Sequence, residues 1–118
     1  MTISKTHIIL YVQDQVSSTK NYSDLLLLKP VLNVPGMTEF ELGNSVVLGL
    51  MPNESIAKII TPILPHPQDG TGIPRCELYL YVEDLDLVYE RTKELPFKLI
   101  SPLENRNWGD RTFYLADQ

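Results

Sequence analysis

One short pattern occurs twice in this chain and limits what the chain can fold into. The stretch HIILYVQD begins at residue 7 and ELYLYVED at residue 77 of 118 residues, and the two share Leu, Tyr, Val and Asp at matching positions. A repeat at this spacing predicts two copies of one structural unit within a chain that has room for a single domain.

Each copy predicts a strand followed by a helix. Apolar and other side chains alternate along both stretches, which is the two-residue period of a strand. Asp14 and Asp84 then stand where a helix N-cap accepts free backbone N–H groups. We expect helices over residues 15–28 and 85–95, because a proline follows each of them.

Short β-like segments follow each helix. In the first copy we expect strands at 31–34, 39–42 and 45–51, and in the second at 97–100 and 111–116. The first unit therefore has the order βαβββ over about residues 5–51, and the second, over about 75–118, lacks its last strand. The proline-rich stretch 52–74 is interpreted as a linker with one helical turn near residues 55–60. The predicted class is α+β, with residues 1–118 as one domain.

Composition restricts the partners. The formal net charge is −5 and the pI about 4.9, so we expect no nucleic acid partner. No apolar run is long enough to span a membrane. Cys76 is the only cysteine, which excludes an intrachain disulfide, and it is expected to pack as a small apolar group. The N-terminal stretch is not typical of a leader, so a cytoplasmic location is expected.

The tandem pattern H-I-x-L-Y-V-x-D resembles the vicinal oxygen chelate superfamily of glyoxalase I, bleomycin-resistance proteins and extradiol dioxygenases. NYSDLLLLKP at residues 21–30 is similar to the F-Y-x-x-L-L-G-L-K-P of that superfamily, although Asn21 replaces Phe and Leu27 replaces Gly. NWGDRTFYLAD at residues 107–117 is similar to its W-G-x-R-x-F-Y-x-x-D. The resemblance implies curved mixed β-sheets that form a cup, helices outside the cup, and a homodimer.

The resemblance also implies where a metal ion would bind. In metal-dependent members the first and last strands of each unit supply the ligands, and here His7 and Glu77 match the two first-strand positions. The second position falls at Leu48 or Leu50, which cannot coordinate a metal, and the fourth lies beyond Gln118. We therefore expect no cofactor in the chain as given. A divalent Zn, Ni, Fe or Mn ion would require a ligand from a further C-terminal strand.

The alternation also predicts a pocket. Side chains in register with His7 and Glu77 should face the cup, whereas the aliphatic residues between them should face the helices: Ile8, Leu10, Val12, Leu78, Leu80 and Val82. Tyr11, Tyr79 and Tyr81 would then bind a ligand, and Trp108 would close the rim. The alternative is that these three tyrosines are packed core aromatics.

Three functions remain open. The first is a protein like the bleomycin-resistance branch, which binds a small cationic or aromatic molecule in the cup without chemistry. The alternative is a metal-dependent lyase, isomerase or dioxygenase that uses His7 and Glu77 plus ligands absent from this chain. The third is a fold-only relative with a filled cavity. Whether the protein is an enzyme therefore stays open.

Overall fold

The computed structural model describes residues 1–117 and has mixed α and β structure in two units, Met1–Cys76 and Glu77–Gln118. The predicted α+β class is confirmed. The first unit contains β1 (Thr6–Val12), α1 (Gln15–Leu26), β2 (Leu32–Val34), β3 (Met37–Gly43), β4 (Val46–Pro52) and α2 (Asn53–Ile60), followed by a 3-10 turn at Pro67–Gly70. The second unit contains α3 (Leu85–Thr92), β5 (Lys98–Asn105) and β6 (Arg111–Ala116).

The first unit is built on a four-stranded mixed sheet. The strand order is β1-β4-β3-β2, in which β1 runs parallel to β4 and the other pairs are antiparallel. Two tight turns link its antiparallel strands, and their backbones need positive φ at Gly36 (97°), Gly43 (91°) and Asn44 (52°). These turns separate β2 from β3 and β3 from β4.

Register divides this sheet into two unlike faces. Ile8 pairs with Leu48 and Leu10 with Leu50, so these side chains share a face, and Phe40 lies across from Leu48. Leu48, Leu50 and Phe40 are fully buried on this face. The predicted orientation of β1 is confirmed, because Leu10 and Val12 point to this core while His7, Ile9 and Tyr11 lie on the opposite face.

A polar network joins α1 to the same face. The Gln15 side chain donates to the Val34 carbonyl (2.8 Å) and to Thr38 Oγ1 (3.0 Å), and it accepts from the Gly36 amide (2.9 Å). Thr38 is fully buried and also hydrogen-bonds to Thr19 of α1 at 2.8 Å. A buried hydroxyl needs such partners, so this network fixes the position of α1 on the β2–β3 turn.

The helices begin as predicted and end earlier. Asp14 accepts from the Ser17 amide and Asp84 from the Leu87 amide, as N-caps do. The first helix ends at Leu26, because Leu27 turns left-handed (φ 53°). The second ends at Thr92 rather than residue 95, and Leu95 precedes Pro96, which disfavours helical geometry there. The turn expected near residues 55–60 is a full helix, α2.

The prediction that the second unit begins with a strand is wrong. In the described structure no residue from 77 to 82 belongs to a strand, although the matching residues of the first unit form β1. In the first unit, β1 is a strand because it hydrogen-bonds to β4. The described part of the second unit has only the two-stranded sheet β5-β6, and neither strand pairs with residues 77–82. The expected burial of this stretch is also wrong for Leu80, which is 42% exposed.

Candidate functional site

A cluster of aromatic side chains gathers around one carboxylate in the second unit. Tyr79 and Tyr81 are two residues apart in the chain, and the hydroxyls of both rings reach the same carboxylate. Their ring centroids lie 5.4 Å apart with an interplanar angle of 26°, which is a stacked arrangement. The rings remain accessible, since Tyr79 is 40% and Tyr81 82% exposed.

The loop between β5 and β6 supplies the polar half of this cluster. Asp110 Oδ2 accepts from the Tyr79 hydroxyl at 2.6 Å and from the Tyr81 hydroxyl at 2.9 Å. Trp108 Nε1 donates to the Tyr79 hydroxyl at 2.9 Å. We call these four residues, Tyr79, Tyr81, Trp108 and Asp110, the aromatic–carboxylate cluster.

The hydrogen bonds shift the titration of the cluster. Donation from Tyr79 first and Tyr81 second lowers the pKa of Asp110, because both bonds favour the carboxylate. The bond to Asp110 is likewise the largest cause that raises the pKa of Tyr79 and of Tyr81. At neutral pH the cluster therefore holds an anionic carboxylate beneath two neutral phenols.

Arg106 fixes the loop that carries Trp108 and Asp110. Its guanidinium donates to the Thr112 hydroxyl (2.8 Å) and carbonyl (3.1 Å), to Glu104 (2.7 Å), and to the Ser101 hydroxyl (3.1 Å). Its backbone amide donates to the Asp110 carbonyl at 2.8 Å. Because the Arg106 side chain is only 12% exposed, these bonds hold both ends of the loop firmly.

A second ion pair lies beside the loop. Arg111 donates to both carboxylate oxygens of Asp86, at 2.8 and 3.2 Å, and thereby joins the start of β6 to the first turn of α3. This bond lowers the pKa of Asp86 and raises that of Arg111. Such a bidentate pair orients the two elements more than a single contact would.

The structure brings three of the four predicted ligand-binding residues together. Tyr79, Tyr81 and Trp108 form the cluster, whereas Tyr11 lies half-exposed on β1 in the first unit. Sequence reasoning missed Asp110, although it follows Trp108 by two residues in the same polar loop. A carboxylate in a loop that already carries an exposed tryptophan was the available signal.

His7 has a partner that the sequence did not indicate. Its Nδ1 lies 3.5 Å from Oε2 of Glu39 on β3, on the sheet face away from α1. Leu48 and Leu50, expected at the second ligand position, are instead fully buried on the helix side. The β4 residues that share the face of His7 are Val47, Gly49 and Met51.

The described residues do not complete a metal site. Residues 1–117 hold no group of three or more His, Cys, Asp or Glu side chains placed to bind one ion. His7 with Glu39 offers two donors, and three protein ligands are usual even for open catalytic sites. The pairing of His7 with Glu77 as ligands stays a prediction, as does the expectation that the chain as given binds no cofactor.

Comparison with known proteins identifies the family. The family model of the Glyoxalase-like domain matches residues 5–118. The chain therefore belongs to the Glyoxalase-like domain family, within the vicinal oxygen chelate superfamily that the repeated motif resembles. Comparison with curated proteins found none that matches.

Several solved structures share this fold. A glyoxalase/bleomycin resistance protein/dioxygenase from Nocardioides is similar with a TM-score of 0.77 and 22% identity, over 98% of this chain and 76% of that one. A protein of unknown function from Agrobacterium tumefaciens str. C58 has a TM-score of 0.76 and 24% identity, over 99% and 87% of the two chains. A lactoylglutathione lyase from Agrobacterium tumefaciens has a TM-score of 0.70 and 18% identity, over 99% and 87%. Such identities establish a shared fold and leave the substrate open.

A helix that crosses a bilayer needs about 20 predominantly apolar residues. None of the helices in residues 1–117 is long and apolar enough to cross a membrane.

Proposed function

We propose that this protein binds a small cationic or aromatic molecule at the aromatic–carboxylate cluster of its second unit. The observation that carries the proposal is the shared hydrogen bonding of Tyr79 and Tyr81 to a single oxygen of Asp110, with both rings left accessible. The rings of core aromatic residues are buried, whereas the rings of Tyr79 and Tyr81 are accessible to solvent.

The hydrogen bonds of the two tyrosine hydroxyls favour binding, because they hold the rings in position before a ligand arrives. A tyrosine that is free to rotate loses rotamer entropy when a ligand orders it. Here the Tyr79 hydroxyl has contacts with both Asp110 and Trp108, and Tyr81 stacks on Tyr79. A planar ligand would therefore meet aromatic faces that are already in position.

Charge favours a cation over an anion. The hydrogen bonds to Asp110 keep this carboxyl ionised, and the whole chain carries a net charge of −5. An aromatic face also attracts cations through its quadrupole, by about 0.5–1 kcal/mol at an exposed site. The two effects act in the same direction.

A pair of probes of similar size tests this charge preference. Trp108 is the only tryptophan, so intrinsic fluorescence reports directly from the cluster. We expect benzyltrimethylammonium to change this fluorescence in a saturable titration, and phenylacetate to bind at least several-fold more weakly. Equal affinity for the two probes, or saturation by neither, would refute the proposal.

Variants separate the ring from its hydroxyl. Tyr81→Ala removes an aromatic face and should weaken binding of benzyltrimethylammonium about two- to fivefold. Tyr81→Phe keeps the face and should retain most of the affinity. Leu99→Ala removes an exposed apolar side chain of β5 in the same unit and serves as the matched control. A Tyr81→Ala affinity equal to that of Leu99→Ala would count against the site.

We propose Tyr11 as a ligand-binding residue within the first unit, on its register with His7 and its half-exposed ring. Benzyltrimethylammonium should shift the NMR signals of β1 amides next to Tyr11, and Tyr11→Ala should reduce these shifts. Shifts that are the same in the variant would contradict this role.

A further inference from the structure

An open pocket lies at one end of the sheet in the first unit, beside the turn between β3 and β4. Its volume of about 390 Å³ is within the range of sites for small molecules. The four strands of this sheet pair with one another without a gap. We call the site the turn pocket, and the residues that line it all belong to the first unit: Lys5, Glu41, Gly43, Asn44, Ser45, Val46 and Val47.

The turn pocket holds two opposite charges that do not neutralise each other. Lys5 supplies an ammonium group and Glu41 a carboxylate, yet within residues 1–117 neither takes part in an ion pair. The side chains of Asn44 and Ser45, which also line the pocket, likewise have no hydrogen-bond partner in this part of the chain. Donors and acceptors at the pocket are therefore available to a ligand.

The backbone positions these polar residues. Asn44 and Ser45 form the two-residue loop of the β3–β4 hairpin, and φ is positive at both, 52° and 60°. The Thr6 amide donates to the Ser45 carbonyl at 2.9 Å, which holds the residue next to Lys5 against this loop. The β3–β4 register shifts directly after Glu41, and such bulges are frequent beside binding sites because they redirect a side chain.

Two valines give the pocket an apolar wall. Val47 is buried and Val46 is partly buried, and both line the pocket. A ligand with an apolar side chain would cover this wall and remove apolar surface from water. The turn pocket thus combines an apolar wall with one positive and one negative group.

We infer that the turn pocket binds a small zwitterion of the amino-acid type, with its carboxylate at Lys5 and its ammonium group at Glu41. An anion that pairs with Lys5 is repelled by Glu41, and a cation at Glu41 is repelled by Lys5. A zwitterion meets an opposite charge at each end, and Asn44 and Ser45 can donate to its carboxylate. This inference is independent of the aromatic–carboxylate cluster, so either proposal can fail alone.

Three ligands with the same isobutyl group test the requirement for both charges. At about pH 6.5, L-leucine carries both charges, L-leucinamide only the ammonium group and 4-methylpentanoate only the carboxylate. We expect L-leucine to shift the 15N amide NMR signals of Ser45, Val46 and Val47 in a saturable titration, and each analogue to bind about two- to fivefold more weakly. Either analogue binding as tightly as L-leucine, or no saturable shift with L-leucine, would overturn the inference.

Variants assign each charge to its residue. Lys5→Gln should lower the affinity for L-leucine about two- to fivefold without weakening L-leucinamide, and Glu41→Gln should lower it equally without weakening 4-methylpentanoate. Both residues are exposed, so the variants should fold. Lys58→Gln and Asp69→Asn change the net charge equally at exposed positions of the same unit outside the pocket, and they serve as matched controls. Equal losses in the controls would show that net charge alone acts and would overturn the inference.

Discussion

Leu27 occupies a backbone conformation that suits glycine. It lies at the C-terminal cap of α1 with φ 53°, and its amide donates to the Ser23 carbonyl. The related motif has glycine at this position, and the structure supplies the reason, because a Cβ in the left-handed region is strained. Leu27, which stands where the related motif has glycine, is therefore a site of local backbone strain.

Leu27→Gly should stabilise the protein. Relief of the left-handed strain outweighs the added flexibility of the unfolded chain, and little apolar burial is lost because Leu27 is 68% exposed. We expect the free energy of unfolding to rise by about 0.5–1 kcal/mol, measured by urea denaturation. Leu26→Gly, one residue earlier and inside the helix, should lower it. A destabilising Leu27→Gly would contradict this account of the cap.

Asp110 controls the ionisation of both tyrosines in the cluster. The pKa of each tyrosine is raised chiefly by its hydrogen bond to this carboxylate. Asp110→Asn removes the negative charge, so both pKa values should fall, which absorbance titration of the phenolates can measure. Asp69→Asn in the first unit changes the net charge equally and should leave them unchanged. Tyrosine titration that is the same in both variants would contradict the assignment.

The cluster should persist over a defined pH range. Because the folded-state pKa of Asp110 is depressed, its contribution to stability is present above the unfolded pKa, about 4, and is lost as pH falls through the folded value. The pKa values of Tyr79 and Tyr81 are raised, so their contribution is present below about pH 10 and is lost as pH rises through the folded values. Trp108 fluorescence should report both limits, and a single transition near neutral pH would contradict them.

At the level of elements, the β5–β6 hairpin depends on one arginine. Arg106→Ala would leave acceptors at Ser101 and Thr112 without their donor, and we expect the second unit to lose about 1–3 kcal/mol of stability. Arg106→Lys should recover only part of the lost stability, because an ammonium group cannot reproduce the several directed hydrogen bonds of the planar guanidinium. Urea unfolding followed by Trp108 fluorescence measures both variants. Full recovery by lysine would show that charge alone matters.

The two copies of the repeat show what sequence determines about an element. Alternation and the caps at Asp14 and Asp84 were sufficient to predict the side of β1 that meets the core and the start of two helices. They could not predict that ELYLYV stays unpaired, because a strand exists through a ladder with distant residues. Local pattern supplies the candidate strand, and the neighbouring chain decides whether it forms.

The candidate site shows the same limit. The sequence indicated Tyr79, Tyr81 and Trp108 as aromatic candidates, but their common partner Asp110 depends on the path of the β5–β6 loop. Glu39 beside His7 depends on the order of three strands, with β4 between β1 and β3. Contacts between residues about 30 positions apart are set by register and turns, which residue types alone do not specify.

Across the whole molecule, burial is unevenly distributed. Every buried apolar residue of the described chain belongs to the first unit: Val12, Tyr22, Phe40, Val47, Leu48, Leu50 and Ala57. Among the described residues of the second unit, only Thr92 is comparably buried. Burial of apolar surface is the main stabilising contribution to folding, so the two units should differ in local stability.

Hydrogen exchange should reveal this difference. We expect amides in the ladder between β3 and β4 to exchange at least about tenfold more slowly than those between β5 and β6, under conditions where the protein is folded. Both ladders are antiparallel, so the comparison holds pairing geometry constant. Equal protection would show that the units unfold as one cooperative body.

Cys76 was expected to pack as an apolar group and instead lies exposed as the last residue of the first unit. With one accessible thiol per chain, air oxidation can join two molecules only to each other. Covalent dimers would then accumulate in aged samples, joined at the residue directly before Glu77. The predicted homodimer should therefore be assayed by sedimentation in the presence of a reducing agent, since a species that vanishes on reduction is a product of storage.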